Sequence, residues 1–430
     1  MDGGLRPAPA CASIAPPCLQ GDSSAMKRLC AIALATVASL GPWQCLHAGG
    51  LWLNEYGDPA SGRAAAGAAA GVDDASTMLH NPASTIRLEG NQLLASAALL
   101  QPVFEFNQDM TGTPGPGGGN GGDAGVLSPT GGVFYVHDSG SDNWQAGLYF
   151  SGLAGLGLDY DDDWVGRYQS IENSLLIATL APTVAWRFTD RLSLGVGLQY
   201  YVATLDLSLR VPNPLPNRPD GRATLDGSDT DFGFTAGALY EWSESTRIGV
   251  NYQSELSPDF GGQLELKGLG VAVDTNTELT LAQKVRLGIY HQLSDRLALD
   301  ISLGWDDWSA LDKVFVAVGS TGASLDKNSR DTSHAALGFQ YQLNPRWLLT
   351  GGVAYDTSPM ESRFRTADMP LDRQVRVAVG GELILSESLS VGGYVNYADV
   401  GRAHIVAPQF QGDYETTDIY QLGMNARWHF

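Results

Sequence analysis

The chain closes on residues 419–430, IYQLGMNARWHF. Tyr420, Leu422, Met424, Ala426, Trp428 and Phe430 fall on one side of this run. Gln421, Gly423, Asn425, Arg427 and His429 fall on the other. An extended strand sends such sets to opposite faces. One face is apolar and ends in aromatic rings; the other is polar and carries charge. The same period returns upstream. In LALDISLGW (297–305), Leu297, Leu299, Ile301, Leu303 and Trp305 alternate with Ala298, Asp300, Ser302 and Gly304. In QVRVAVGGELIL (374–385), Val375, Val377, Val379, Leu383 and Leu385 oppose Gln374, Arg376 and Glu382.

A soluble sandwich alternates too, but three features favour a transmembrane barrel. The apolar face ends in aromatics at strand ends (Trp242, Trp347, Trp428, Phe430), as an interfacial girdle does. The opposite face carries charge and glycine in strand after strand, which suits a wet or ligand-filled interior. The connections alternate short (139–142, 189–191, 343–346) and long (107–125, 161–173, 213–229, 320–329, 361–373). Barrels of outer membranes have short periplasmic turns and long outer loops. Fourteen segments result, beginning near Asn91, Gly131, Trp144, Ser174, Leu192, Phe232, Arg247, Thr277, Leu297, Arg330, Trp347, Gln374, Leu389 and Ile419. The number is even, as a single-chain barrel requires. Closure removes the unpaired edges that lipid would not tolerate. The expected fold is therefore all-β: an antiparallel barrel of fourteen strands over 91–430.

Residues 26–48, MKRLCAIALATVASLGPWQCLHA, have a basic start at Lys27 and Arg28, an apolar stretch and small Ala48. This predicts a secretory signal peptide. Residues 1–25 then form a non-structural extension, with Met26 as the expected start. Cys11, Cys18, Cys30 and Cys45 all precede the expected cut, so no disulfide or cysteine metal site is expected in the mature chain. The net charge of −21 argues against nucleic acid as a partner. No G-x-S-x-G motif occurs, and the histidines lack metal spacing. The expectation is no enzyme, no cofactor and no metal, although the acidic run Asp161–Asp163 could hold a cation or bridge lipopolysaccharide.

Residues 49–90, GGLWLNEYGDPASGRAAAGAAAGVDDASTMLHNPASTIRLEG, fit neither a strand nor an ordinary core helix. Segment by segment they resemble the N-terminal hatch of the FadL/TodX family of outer-membrane transporters for hydrophobic compounds. The matching residues are Leu53-Asn54-Glu55, Gly62-Arg63-Ala64, Gly67, Asp73-Asp74-Ala75-Ser76 and Asn81-Pro82-Ala83. The resemblance continues through WVGRYQSIENSLLIATLAPTVAWRFTDRLSLGVGLQY (164–200), LGWDDWSALDKV (303–314) and the loop carrying Asp356, Ser358, Pro359, Arg365, Pro370, Asp372 and Arg373.

The resemblance implies a small hatch folded inside the barrel and blocking it. Asn81, Pro82, Ala83, Asp73 and Asp74 would then govern gating. Asn81-Pro82 reads as a turn. The two carboxylates would meet inward Arg or Lys, or cap a short helix. Fourteen strands enclose a lumen too wide for wall side chains alone to fill. The third strand holds Gly147, Gly152, Gly155 and Gly157. Glycine inside a strand marks a bend or bulge, and the family's inward kink maps to Ser151–Gly157, a lateral opening. The implied function is uptake of long-chain fatty acids or similar hydrophobic molecules into the outer membrane; the expected partners are membrane lipid and lipopolysaccharide, with a monomer as the default state. Outer loops bearing Val165, Tyr168, Leu215 and Phe364 would capture the solute, each buried Å² contributing roughly 25 cal/mol. An internal site near Leu51 and Trp52 would follow, with Lys313 and Arg210 as candidate cations for a carboxylate. Aromatic hydrocarbons are the alternative cargo, and a general diffusion porin the alternative class.

Overall fold

A computed structural model of the chain describes residues 56–110, 116–213, 218–267, 271–311, 313–318, 321–326 and 328–430. The expected signal peptide (26–48) and the extension expected before it lie outside the described residues.

The described strands make one sheet that closes on itself. In chain order they are β1 (Gln92–Gln108), β2 (Ser128–His137), β3 (Trp144–Asp159), β4 (Glu172–Arg187), β5 (Leu192–Val211) and β6 (Gly221–Ser243). The next four each run in two pieces: β7 (Thr246–Gln253, Asp259–Lys267), β8 (Val271–Glu278, Lys284–Ser294), β9 (Leu297–Asp306, Lys313–Val318) and β10 (Thr321–Asp326, Thr332–Asn344). The last are β11 (Trp347–Asp356), β12 (Gln374–Ser386), β13 (Leu389–Asp399) and β14 (Gln411–His429), whose outer end also pairs with the short loop strand His404–Val406. Every neighbouring pair is antiparallel, and β14 returns to β1 from Gln92↔His429 to Gln108↔Gly412. Asn91 and Phe430 exchange backbone hydrogen bonds of 3.1 and 3.0 Å at the seam. The barrel thus has the fourteen strands expected.

Burial follows the alternation with the polarity of a soluble protein inverted. On β14, Leu422 and Met424 are 59% and 66% exposed, while inward Gln421 is 5% exposed. The same holds on β5, where Leu194, Val196 and Leu198 face out and Ser193 and Gln199 are buried. An apolar belt over a polar interior is the pattern of a lipid-embedded barrel.

Several outer boundaries lie further out than the sequence suggests. β6 begins at Gly221, not near Phe232, because Gly221–Asp231 pair with the tall end of β5. The segment read as a loop at 320–329 contains the strand Thr321–Asp326, paired with Lys313–Val318. Between β11 and β12, and between β13 and β14, the outer loops pack instead into an apolar core with the loops after β1 and β3. Trp164, Tyr160, Phe106, Phe410 and Met369 meet there. Val165 is buried in this core rather than offered to solvent.

Candidate functional site

Residues 56–90 occupy the lumen. Short helical turns at Pro59–Arg63, Ala68–Ala70, Thr77–His80 and Pro82–Arg87 follow one another. They touch the wall on many sides: Pro59–Arg63 meets β11, β12 and β13, Ala68–Ala70 meets β7 and β8, and Pro82–Arg87 meets β4, β5 and β6. The wall receives them with glycines. A Cβ on Gly237 of β6 would lie 1.9 Å from Asn81 Oδ1, and one on Gly195 of β5 2.3 Å from the Ala83 nitrogen. One on Gly249 of β7 would lie 1.8 Å from the Ala69 carbonyl, and one on Gly352 of β11 2.2 Å from that of Arg63. Gly147, Gly288 and Gly338 make similar seats for Met78, Ala70 and Ala66. The hatch is small-residued because its backbone lies directly on the wall backbone. Wall side chains do not limit it there. The signal was present in the sequence as glycine on the inward face of strand after strand.

Asn81 anchors this arrangement. Its Nδ2 donates to the Ala69 carbonyl (2.6 Å) within the hatch and to the Ala238 carbonyl (3.1 Å) of the wall. Its Oδ1 accepts the Ala83 N–H at 3.0 Å, capping the turn that Pro82 opens. Ala83 is fully buried against Gly195. The adjacent carboxylates divide their work. Asp73 is exposed and faces Arg247 of β7 (3.3 Å) and Arg87 (3.8 Å). Asp74 is buried and accepts Ser76 N–H and Oγ–H at 2.8 and 2.6 Å. Burial raises the Asp74 carboxyl above its ordinary value despite Arg427 and these bonds.

A second buried carboxylate escaped the sequence reading. Asp58 Oδ2 lies 2.8 Å from His80 Nε2 and accepts from Ser76 Oγ at 3.1 Å. Burial pushes this carboxyl up, but His80 and the hydrogen bonds outweigh it and hold the group below its ordinary value. Nothing in the spacing of Asp58 and His80, 22 residues apart, announces the pair. Further cations fix the hatch to the wall: Arg63 to Asp300 (3.6 Å) and Arg87 to Glu241 (2.5 Å). Tyr56 accepts from Lys284 Nζ, beside the pairs Arg286–Asp306 (2.7 Å) and Arg376–Asp356.

β3 breaks its ladder where the sequence places its glycines. Its register on β4 shifts between Gly152 and Ala154, a bulge at Leu153. Pairing with β2 runs only from His137↔Ala146 to Gly132↔Ser151. Above that, β3 next meets the chain at Gly125↔Leu158, with Val126 N–H donating to the Gly157 carbonyl at 3.3 Å. Between the two contacts lies a cavity of about 580 Å³. Buried Tyr56, Leu153 and Leu175 line its inner side, and lipid-facing Val133, Phe150 and Leu176 line its outer side. Gly152 and Gly155 line it directly. Ser151 closes its lower edge by donating to the Gly131 carbonyl at 3.3 Å, and Gly157 lies at its upper edge. This size falls within the range of small-molecule pockets.

The proposed carboxylate partners are not assembled there. Arg210 sits on the outer end of β5, bound to Asp162 at 3.0 Å, and Arg222 shares that aspartate at 3.1 Å. Lys313 opens the outer piece of β9, its side chain outside the described residues. Leu51, Trp52 and Leu215 lie outside the described residues. Phe364 is half-buried beneath the Arg363 guanidinium, 4.6 Å from its ring centre.

Comparison with known proteins gives a consistent picture. A family model described as "Outer membrane protein transport protein (OMPP1/FadL/TodX)" matches residues 39–430. The long-chain fatty acid transport protein of Escherichia coli O6:H1 is 25% identical over 409 residues, covering 85% of this chain and 90% of that protein. Outer membrane protein P1 of Haemophilus influenzae is 26% identical over 411 residues, covering 85% and 89%. Among solved structures, a Pseudomonas aeruginosa FadL homologue superposes with a TM-score of 0.79 at 20% identity, over 86% of this chain and 97% of that one. The Ralstonia pickettii toluene transporter TbuX gives 0.63 at 17% identity, over 83% and 94%.

Proposed function

Because the chain belongs to the FadL/TodX family of outer membrane transport proteins, we propose that it takes up long-chain fatty acids or similar hydrophobic molecules and releases them sideways into the outer membrane. The carrying observation is the cavity at the break in β3. It is apolar, it reaches from Tyr56 of the hatch to the lipid-facing wall, and no ladder bond to β2 closes it between Gly152 and Leu156. The hatch, seated on the wall glycines, stands across the straight route, so a solute moves past Tyr56 and out between β2 and β3. No energy source is needed for a downhill step. Fatty acid is the favoured cargo, since relatives such as the Escherichia coli and Salmonella typhi long-chain fatty acid transport proteins carry it in their names. Aromatic hydrocarbons would follow the same path. A general diffusion porin would need an unobstructed lumen, which residues 56–90 do not leave.

The four cysteines all precede residue 46, so the mature chain offers a clean background for a staple. A Cβ on Gly152 lies 3.2 Å from Thr130 Oγ1 on β2, within disulfide reach. The double variant Thr130→Cys/Gly152→Cys is expected to lose labelled oleate uptake when oxidised and regain it on reduction. Uptake that continues unchanged through the oxidised protein would exclude the lateral route. Competition of oleate uptake by toluene decides between the two cargoes.

A further inference from the structure

We infer that the window between β2 and β3 discriminates by charge: it passes uncharged head groups, so that a long-chain acid leaves through it protonated. This rests on the lateral route proposed above. None of the described residues lining the cavity is charged. Its hydroxyls are largely committed. Thr130 Oγ1 donates to the Tyr56 carbonyl (3.4 Å), Ser128 Oγ to the Val126 carbonyl (3.1 Å) and Ser96 Oγ to the Gly132 carbonyl (3.5 Å).

What polar capacity remains is the Ser174 hydroxyl and, above all, backbone. From Gly152 to Leu156, β3 has its ladder on the β4 side, and Ser128–Gly131 of β2 have theirs on the β1 side. Two strand edges therefore face each other across the cavity. Such an edge presents N–H and C=O groups in alternation. A protonated carboxyl or an alcohol is donor and acceptor at once and can satisfy one of each. A carboxylate only accepts. It would leave the carbonyls unmatched and bring an unpaired charge into an apolar pocket, an expensive transfer.

The lumen's cations stand on the other side of Tyr56. An adjoining small cavity shares Tyr56 with the first and is lined by His80, Lys284, Arg286 and His334. There the cations have partners of their own: Lys284 on Tyr56, Arg286 on Asp306. Tyr56 is thus the boundary between a charged compartment and an uncharged one. The acid takes its proton from water before crossing that boundary. At pH 7 a carboxyl of ordinary acidity is neutral roughly once in 500 molecules, a smaller penalty than stripping an unpaired carboxylate of water.

The test uses cells without their own uptake route, expressing the full chain, and three probes with the same oleyl chain: oleic acid, oleyl alcohol and oleyl sulfonate, a permanent anion. Window-dependent delivery is the part abolished by oxidising the Thr130→Cys/Gly152→Cys staple. We expect the acid and the alcohol to be delivered, and the sulfonate at about a tenth of the acid's rate or less. Acid delivery should fall as the medium turns from mildly acidic to mildly alkaline, while alcohol delivery stays level. Ser174→Lys, which adds an ammonium to the lining, should raise sulfonate delivery. Sulfonate delivered through the window at the acid's rate would overturn charge discrimination and leave the lateral route standing. A staple without effect on any probe would overturn the route itself, and this inference with it.

Discussion

Asn81 shows how much one side chain can hold. It joins two hatch turns to each other and both to β6, through two donated bonds and one accepted bond, from a side chain that is itself fully buried. Removing a buried partner leaves the Ala69 and Ala238 carbonyls short of a donor and the Pro82–Arg87 turn without its cap. Such losses cost about 1–3 kcal/mol. Asn81→Ala is therefore expected to loosen the hatch and raise single-channel conductance in planar bilayers, while the barrel keeps its resistance to unfolding in detergent. Gly237→Ala should do the same from the opposite side, since its Cβ would stand on Asn81 Oδ1. Asn81→Ala in the Gly237→Ala background should then add little, because both changes break one contact. Conductance effects that simply add would show that Gly237 matters for some other reason. The Asn-Pro-Ala run was legible in the sequence as a turn and, by resemblance, as part of a hatch. Its wall partner was not, because nothing local couples Asn81 to a glycine 156 positions away.

At the scale of elements, the hatch is tied by charge as well as by apolar packing. Its small apolar clusters, such as Ala60, Ala65, Ala68 and Val72, bury little surface per residue. The Asp58–His80 pair and the arginine contacts of Asp73 make up for this. Asp58 has a folded-state value below its unfolded one. Its contribution is fully present above the unfolded value, about 3.9, and is lost as pH falls through the lower folded value. Asp74, raised by burial, acts in the opposite sense. The difference between wild type and Asp58→Asn isolates the first group. Wild type is expected to open its hatch to added protease below about pH 4, and Asp58→Asn to be open already at neutral pH with a flatter profile. Identical profiles would show that the pair does not hold the hatch. The strands teach a related lesson. Strand number, the inner turns and the inward-outward alternation were readable because lipid enforces period two. The outer ends of β6 and β10 were not. Gly221–Asp231 reads GRATLDGSDTD, rich in turn formers, yet it pairs throughout with β5 because two tall neighbours supply its ladder outside the lipid. There the solvent asks for no apolar face, so the periodic signal fades while the hydrogen bonds persist.

The whole molecule is an exchange of inside for outside, and that sets where it tolerates change. Glycines, charges and amides face a lumen filled by the hatch; leucines and valines face lipid. Leu422 of β14 is outward, flanked by Leu99 of β1 and Val395 of β13, midway along a ladder with β1 that runs from Gly412 to His429 beside the seam. Leu385 is also outward, but it adjoins the β12–β13 turn at the membrane's edge. In water-soluble folds an arginine at an exposed position costs next to nothing. Here the solvent is hydrocarbon. Leu422→Arg is expected to destabilise the folded barrel in bilayers by about 2–4 kcal/mol, and Leu385→Arg by no more than about 1 kcal/mol. Urea unfolding in lipid vesicles, followed by tryptophan fluorescence, reads both. Equal costs at the two sites would mean that the belt is not placed as the apolar face implies, and the seam at Asn91 and Phe430 would then lie deeper in the bilayer than its position beside the inner turns suggests.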